Sequence, residues 1–259
     1  SHEIRTPLNG ILGMTAALER TTLSPSQASM LAVVRDAGEL LLSVLNDVLD
    51  LSQIEAGRMR LETASYDLPS AVKSVTDLFS EAAASKGVKL QSVIDPVLGA
   101  PILGDPLRLR QVVQNLVSNA VKFTNAGHVT VTARIADPSR FEIEVADTGI
   151  GMSQAQAERV FERFSQAEAG TARRFGGSGL GLTISRDLAR MMGGDITVHS
   201  TLGVGSRLTV WLPLRWASAE EPRPVAGQAA LPAPPPLPTI PEAAEGALSV
   251  LAVDDNAMN

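Results

Sequence analysis

Between Met30 and Leu51 apolar residues return at alternating steps of four and three: Met30, Val34, Ala37, Leu41, Val44, Val48 and Leu51. Such steps keep one face of a helix apolar and exclude a strand, whose side chains alternate. Leu31, Leu45 and Leu49 broaden that face beyond a two-stranded seam. Upstream, the helical pattern begins near Ile4 and breaks once, at TTLSPSQ, where Ser24 followed by Pro25 makes a cap and first-turn pair. Residues 4–61 therefore read as a helical hairpin. One hairpin cannot bury two apolar faces, so a four-helix bundle made from two chains is the simplest expectation. A hairpin packed on its own downstream domain would satisfy the same periodicity.

From about Tyr66 to Leu214 helical and strand patterns mix. Residues 68–86, 105–123 and about 180–192 predict helices. VKLQSVID, HVTVTARIA, RFEIEVADT, DITVHST and SRLTVWLP predict strands, mostly with period-two alternation. The order suggests an α/β sandwich whose strands have antiparallel neighbours, not a βαβ array. Residues 217–247 hold half of the chain's 16 prolines, with Ala and Glu, and read as an extended linker. After it, LSVLAVDDNAMN is an apolar strand pattern ending in two aspartates. The divisions expected are thus 1–64, 65–216, 217–247 and 248–259.

The chemistry-bearing residues lie in the second division. In GDPLRLRQVVQNLVSNAVKFT, Asp105 suits an N-cap and Pro106 the first turn. Arg108, Gln111, Asn115, Asn119 and Lys122 are spaced three, four, four and three, a single polar stripe. Leu109, Val112, Val113, Leu116, Ala120 and Phe123 supply the apolar side. Two asparagines with a lysine beyond suit oxygen coordination of Mg²⁺ and an ammonium on phosphate. Two glycine-rich turns support this. DTGIGM puts Asp147 at a strand end, with Gly149 and Gly151 letting the backbone approach a flat ligand. GGSGLGL places Gly177, Gly179 and Gly181 at the start of a helix, whose unpaired N–H groups favour a phosphate. The glycine spacing fits neither a Rossmann fingerprint nor a Walker loop. Between the turns, SQAQAERVFERFSQAEAGTARRF is polar and alanine-rich and reads as a lid.

HEIRTP, NLVSNAVKF, DTGIGM, FERF and GGSGLGL, in that order, resemble the H, N, G1, F and G2 boxes of sensor histidine kinases, over residues 1 to about 215. The resemblance implies a Bergerat ATP-binding fold. In it Asn119 would hold Mg²⁺ with Asn115 beside it, Asp147 would accept a hydrogen bond from the adenine amino group, and Lys122 and Arg173 or Arg174 would meet phosphates. Phe123, Gly149, Gly151, Gly177, Ser178, Gly179, Leu180 and Gly181 complete the ATP-binding set. Gln166 stands where many members have an arginine, so which lid residue meets the γ-phosphate stays open. His2 would be the phosphoryl acceptor, Glu3 its general base, and Thr6 the residue orienting water in a reverse, phosphatase direction. Pro7 removes the N–H that would bond Glu3's carbonyl, so a bend is expected there. The final segment resembles the first strand of a flavodoxin-like receiver domain, in which Asp254 and Asp255 would bind Mg²⁺. A hybrid kinase relaying phosphate to that receiver, or to a separate response regulator or phosphotransfer protein, follows as an expectation.

Other classes fit less well. The net charge is -6, which disfavours a nucleic-acid partner. There is no cysteine, so no thiol nucleophile or zinc-thiolate site. No apolar run reaches the roughly 20 residues of a membrane span, so no membrane contact is expected and a cytoplasmic location is. The chain reads as a fragment whose N-terminal region is missing. No second histidine follows His2 at four residues, which argues against a zinc helix, and His128 and His199 sit in strand patterns. Two alternatives differ in class: a nucleotide-binding scaffold that does not phosphorylate itself, and a chaperone- or mismatch-repair-type ATPase, which leaves HEIRTP unexplained.

Overall fold

The computed structural model describes residues 2–163 and 179–217, with side chains from Ile4 onward. Two helices come first, α1 (His2–Glu19) and α2 (Pro25–Glu55). The turn between them ends as expected: Ser24 Oγ accepts from Gln27 N at 3.3 Å while Gln27 Oε1 accepts from Ser24 N at 2.9 Å, with Pro25 at the first helical position. Helix α1 runs on through Pro7. It packs on α2 through Leu8, Leu12 and the buried Thr15. Gly38 permits the close approach, because a Cβ there would lie 2.8 Å from Leu12 Cδ2.

The seam read from the sequence divides differently. Leu31, Leu45 and Leu49 are half-buried, whereas Met30, Val34, Leu41 and Val48 are exposed. Leu51 belongs instead to the core of the following module.

That module opens with β1 (Ala64–Tyr66) and α3 (Leu68–Ser85), then β2 (Val88–Ile94), a 3-10 turn (Pro96–Gly99) and β3 (Ile102–Gly104). There follow α4 (Pro106–Phe123), β4 (Gly127–Asp137), β5 (Arg140–Asp147), α5 (Gln154–Arg159), α6 (Gly181–Met191), β6 (Asp195–Thr201) and β7 (Gly205–Pro213). The main sheet has the order β2-β4-β5-β7-β6. Its pairs are antiparallel except β2–β4, which is parallel. This corrects the antiparallel expectation: α4 acts as a crossover between β2 and β4, a connection that delivers parallel neighbours.

One sheet face carries the core. Val129, Val131, Ile143, Val145 and Val210 meet Leu109, Val112, Leu116 and Val117 of α4 and Ile184 and Leu188 of α6. Each such side chain contributes about 1.5–3 kcal/mol by leaving water. The opposite face carries cross-strand ion pairs, Arg134 with Glu142 at 2.9 Å and Arg207 with Glu144 at 3.4 Å. Phe123, expected in the core, is only half-buried, because it lies at the last turn of α4.

A small second sheet ties the ends of the module together. β3 pairs with β1, and the segment after β7 joins it too: Leu103 N donates to Arg215 O at 2.7 Å, Ala217 N to Pro101 O at 3.0 Å, and Trp216 bridges Ile102.

Candidate nucleotide-binding site

Helix α4 is the spine of the site, and its start is firmly held. Asp105, 5% exposed, caps it by accepting from Arg108 N at 2.9 Å, and its other oxygen accepts from Glu62 N at 2.9 Å. Two N–H donors stabilise a buried carboxylate that would otherwise be costly. Lys86 closes the far end, donating to the carbonyls of Val121 and Lys122 at 2.9 and 3.1 Å, where the helix dipole favours a cation.

The polar stripe of α4 divides into two. Arg108 and Gln111 turn to the helical stalk: Gln111 Nε2 donates to Asp50 Oδ2 at 2.6 Å. Asn115 and Asn119 turn to α6. Asn115 Nδ2 donates to Ser185 Oγ at 2.8 Å, and Asn119 Nδ2 donates to Asn115 Oδ1 at 3.4 Å. Gly181 makes this meeting possible, since a Cβ there would lie 2.6 Å from Asn115 Oδ1. The two amides thus fix each other and leave Asn119 Oδ1 as an acceptor. A carboxamide oxygen suits a hard cation. Among the described residues no three His, Asp or Glu side chains gather as a metal site, so a cation held here would need oxygens from a ligand as well.

The start of α6 faces the same region. Leu180 in its N-cap position supplies no side-chain cap, and the first turn of a helix is where N–H groups and the dipole suit an anion. Gly179 precedes it at φ 69°. Lys122 lies at the end of α4, its Nζ 5.1 Å from the centre of the Phe123 ring. Burial, followed by Lys86 nearby, lowers its pKa, since both disfavour the charged form.

Asp147 stands at the end of β5, as the sequence predicts. Its Oδ1 accepts from Gly149 N at 2.8 Å and Ser206 N at 3.3 Å. Both donors take the same oxygen, which leaves Oδ2 for an external N–H. Burial raises its pKa, and the two backbone N–H groups work against that rise.

The neighbouring glycines also let the protein's own backbone pack closely at this corner. A Cβ on Gly149 would sit 2.4 Å from Phe123 O, and one on Gly151 (φ 64°) 2.0 Å from Thr201 O. Gly203 N donates to Ile150 O at 2.7 Å, and Met152 N to Ser200 Oγ at 2.8 Å. Ser200, Gly205 and Ser206 therefore build the Asp147 corner and were not anticipated. Gly203 and Gly205 signalled only a turn between two strands. A cleft of about 420 Å³ lies beside this corner, lined among others by Asp147, Ser206, Arg207 and His199. His128 and His199 are both exposed on strands.

The structure thus brings Asn115, Asn119, Leu180 and Gly181 together and places Lys122, Phe123, Asp147, Gly149 and Gly151 in elements that end beside them. Thr6 lies on α1. The side chains of His2 and Glu3, and residues Arg173, Arg174, Gly177, Ser178, Asp254 and Asp255, lie outside the described residues.

Comparison with known proteins agrees with this geometry. Residues 104–215 match the model of the histidine kinase-, DNA gyrase B- and HSP90-like ATPases, and residues 1–57 match the His Kinase A (phospho-acceptor) domain. The chain belongs to the histidine kinases. The autoinducer 2 sensor kinase/phosphatase LuxQ of Vibrio cholerae is 39% identical over 262 residues, covering all of this chain and 30% of LuxQ. The signal transduction histidine-protein kinase BarA of Escherichia coli K12 is 40% identical over 215 residues, 82% of this chain and 23% of BarA. The crystal structure of full-length ShkA in complex with AMPPNP superposes with a TM-score of 0.70 at 40% identity, over 84% of this chain and 45% of that one. The histidine kinase chain described here thus spans less than a third of the length of these curated relatives. No helix among its described residues is long and apolar enough to cross a membrane.

Proposed function

We propose that this kinase phosphorylates its own His2 from ATP and passes the phosphoryl group to a receiver aspartate. Residues 1–64 act as the dimerising phosphotransfer hairpin and 65–216 as the ATP module. The observation that carries the reading is convergence. The Asn115–Asn119 pair and the start of α6 meet at one end of the module, on the same α4 stripe that grips the stalk at Asp50. Arg5 Nη2 donates to Asn46 Oδ1 at 3.1 Å, and in an antiparallel hairpin this sets His2 opposite roughly Leu49. The phosphate end of the module therefore faces the acceptor's level.

A ring nitrogen of His2 attacks the γ-phosphorus, the bond to the β,γ-bridging oxygen breaks, and ADP leaves. Glu3 accepts the proton of the other ring nitrogen. Asp147 selects adenine through Oδ2, while Lys122 and the α6 N–H groups hold phosphate oxygens. Arg173 or Arg174 is assigned the remaining phosphate charge. Mg²⁺, held by Asn119 Oδ1 together with phosphate oxygens, would supply charge neutralisation. Thr6, one turn after His2, orients water for the reverse reaction, a capacity that the name of LuxQ also carries.

The exposed apolar stripe of α2, Met30, Val34, Leu41 and Val48, supports the homodimer, joined by Ile4, Ile11, Met14 and Leu18 of α1. The first strand of a receiver at 248–259, whose Asp254 and Asp255 would hold Mg²⁺, rests on the LSVLAVDDNAMN pattern. Incubation with γ-labelled ATP and Mg²⁺ tests the reading. An acid-labile, alkali-stable label on the wild type and none on His2→Ala is expected. Label that persists in His2→Ala would overturn it, and nucleotide binding with no label would favour the scaffold.

A further inference from the structure

We propose that Asp50 is a positioning residue for this phosphoryl transfer, and that with Glu55 it clamps the ATP module to the stalk at the height of His2. The proposal rests on the function above and adds the residues that set the geometry between its two halves.

Four observations on one stretch of α2 combine. Asp50 Oδ2 accepts from Gln111 Nε2 at 2.6 Å, Gln111 Oε1 accepts from Arg108 Nη1 at 2.9 Å, and Arg108 Nη1 lies 3.8 Å from Asp50 Oδ1. Both charged side chains of that set are about four-fifths buried, at 19% and 20% exposure. Leu51 and Ile54 enter the core of the module, so the charges sit at the rim of an apolar contact. Glu55 pairs with Arg163, two residues past Phe161, and Phe161 O accepts from Thr183 Oγ1 of α6 at 3.0 Å. The stalk therefore holds both sides of this end of the module: α4 through Asp50, and the Phe161–Arg163 turn with α6 through Glu55.

Distance along the helices makes this a positioning device. Gln111 lies one turn before Asn115 on α4, about 6 Å along the axis. Asp50 lies one residue from the position facing His2. A polar clamp within one turn of the nucleotide on one side, and level with the acceptor on the other, sets how the γ-phosphate meets the imidazole. Phosphoryl transfer depends on such placement, and a displacement of about 1 Å can cost about 100-fold in rate. Nucleotide affinity is assigned to Asp147, Lys122 and the start of α6, whereas the side chain of Asp50 engages Gln111 and Arg108. A disturbed clamp should therefore lower kcat and spare KM.

The test uses the 259-residue chain as it stands. Initial rates of labelling from γ-labelled ATP give kcat and KM, and calorimetry with AMPPNP gives affinity. Asp50→Lys opposes Arg108 and should lower kcat by about tenfold or more, with AMPPNP affinity within about twofold of wild type. Asp50→Asn keeps an acceptor oxygen for Gln111 and should lose less. Adding Arg108→Glu to Asp50→Lys restores opposite charges and should return kcat to within about threefold of wild type, which a variant that had merely unfolded could not do. An unchanged or raised kcat in Asp50→Lys, a parallel loss of AMPPNP binding, or no rescue by the double swap would overturn the clamp. A wild-type chain that binds AMPPNP but takes no label on His2 would instead overturn the proposed function.

Discussion

Replacing Gly151 by alanine should separate two costs that the Asp147 corner combines. Its φ of 64° lies in the left-handed region, which costs an L-residue about 1–2 kcal/mol. The new Cβ would also lie 2.0 Å from Thr201 O, a strand carbonyl with little freedom to move, which adds about 1–3 kcal/mol of overpacking. Two other glycines carry one cost each. Gly87 has φ 71° and nothing within 4 Å of its Cβ position, whereas Gly149 has no positive φ but a Cβ position 2.4 Å from Phe123 O. Expected losses are then about 1–2 kcal/mol for Gly87→Ala, about 1–3 for Gly149→Ala and about 2–5 for Gly151→Ala. Thermal unfolding reads them at about 2–4 °C per kcal/mol. AMPPNP titration supplies the second axis: Gly87→Ala should leave affinity intact, while the other two weaken it through the Asp147 carboxylate. Equal melting losses at Gly87 and Gly151, or a neutral Gly149→Ala, would refute the reasoning.

Asp147→Asn should weaken AMPPNP binding by about 10–100-fold with little change in melting, because its oxygen still accepts from Gly149 and Ser206 while an N–H donor replaces the free acceptor. Since burial raises the Asp147 pKa, wild-type affinity should fall on acidification from above the ordinary carboxylate range, and calorimetry on Asp147→Asn should lack that dependence. Leu41→Glu puts a charge on the exposed α2 stripe and should convert a dimer to a monomer by light scattering, leaving AMPPNP affinity unchanged. Asp195 is held below the usual carboxylate range: burial opposes this, but Arg186, the Ile196 N–H and Arg190 outweigh it. Its contribution is complete above about pH 4 and is lost as the pH falls through the lowered pKa, so denaturant curves of Asp195→Asn should lose less stability below pH 4 than wild type.

What was legible in the sequence was local. Ser24 with Pro25 and Asp105 with Pro106 announce helix starts wherever they occur, and their caps formed as read. Alternation found the five strands of the main sheet because one face is covered and the other solvated. The three-residue strands β1 and β3 left no trace, because ASY and ILG are too short to alternate and pair only across a gap of some forty residues. The Asn115, Asn119 and Gly181 set was visible as spacing and as a glycine run. The division of labour along α4 was not, since Gln111 reads like Asn115 until Asp50, from a different part of the chain, is brought against it. The same limit hid Ser200 and Ser206, whose importance comes entirely from where β6 and β7 deliver them.

The strand that begins the ATP module and the residues that end it both lie against β3. A unit whose two ends share one port can be cut out, or spliced behind a different stalk, without stretching anything inside it. Pull on the end after β7 would load that three-stranded seam first. This wiring suits a kinase cassette that evolution can reattach to new inputs while the nucleotide pocket stays undisturbed.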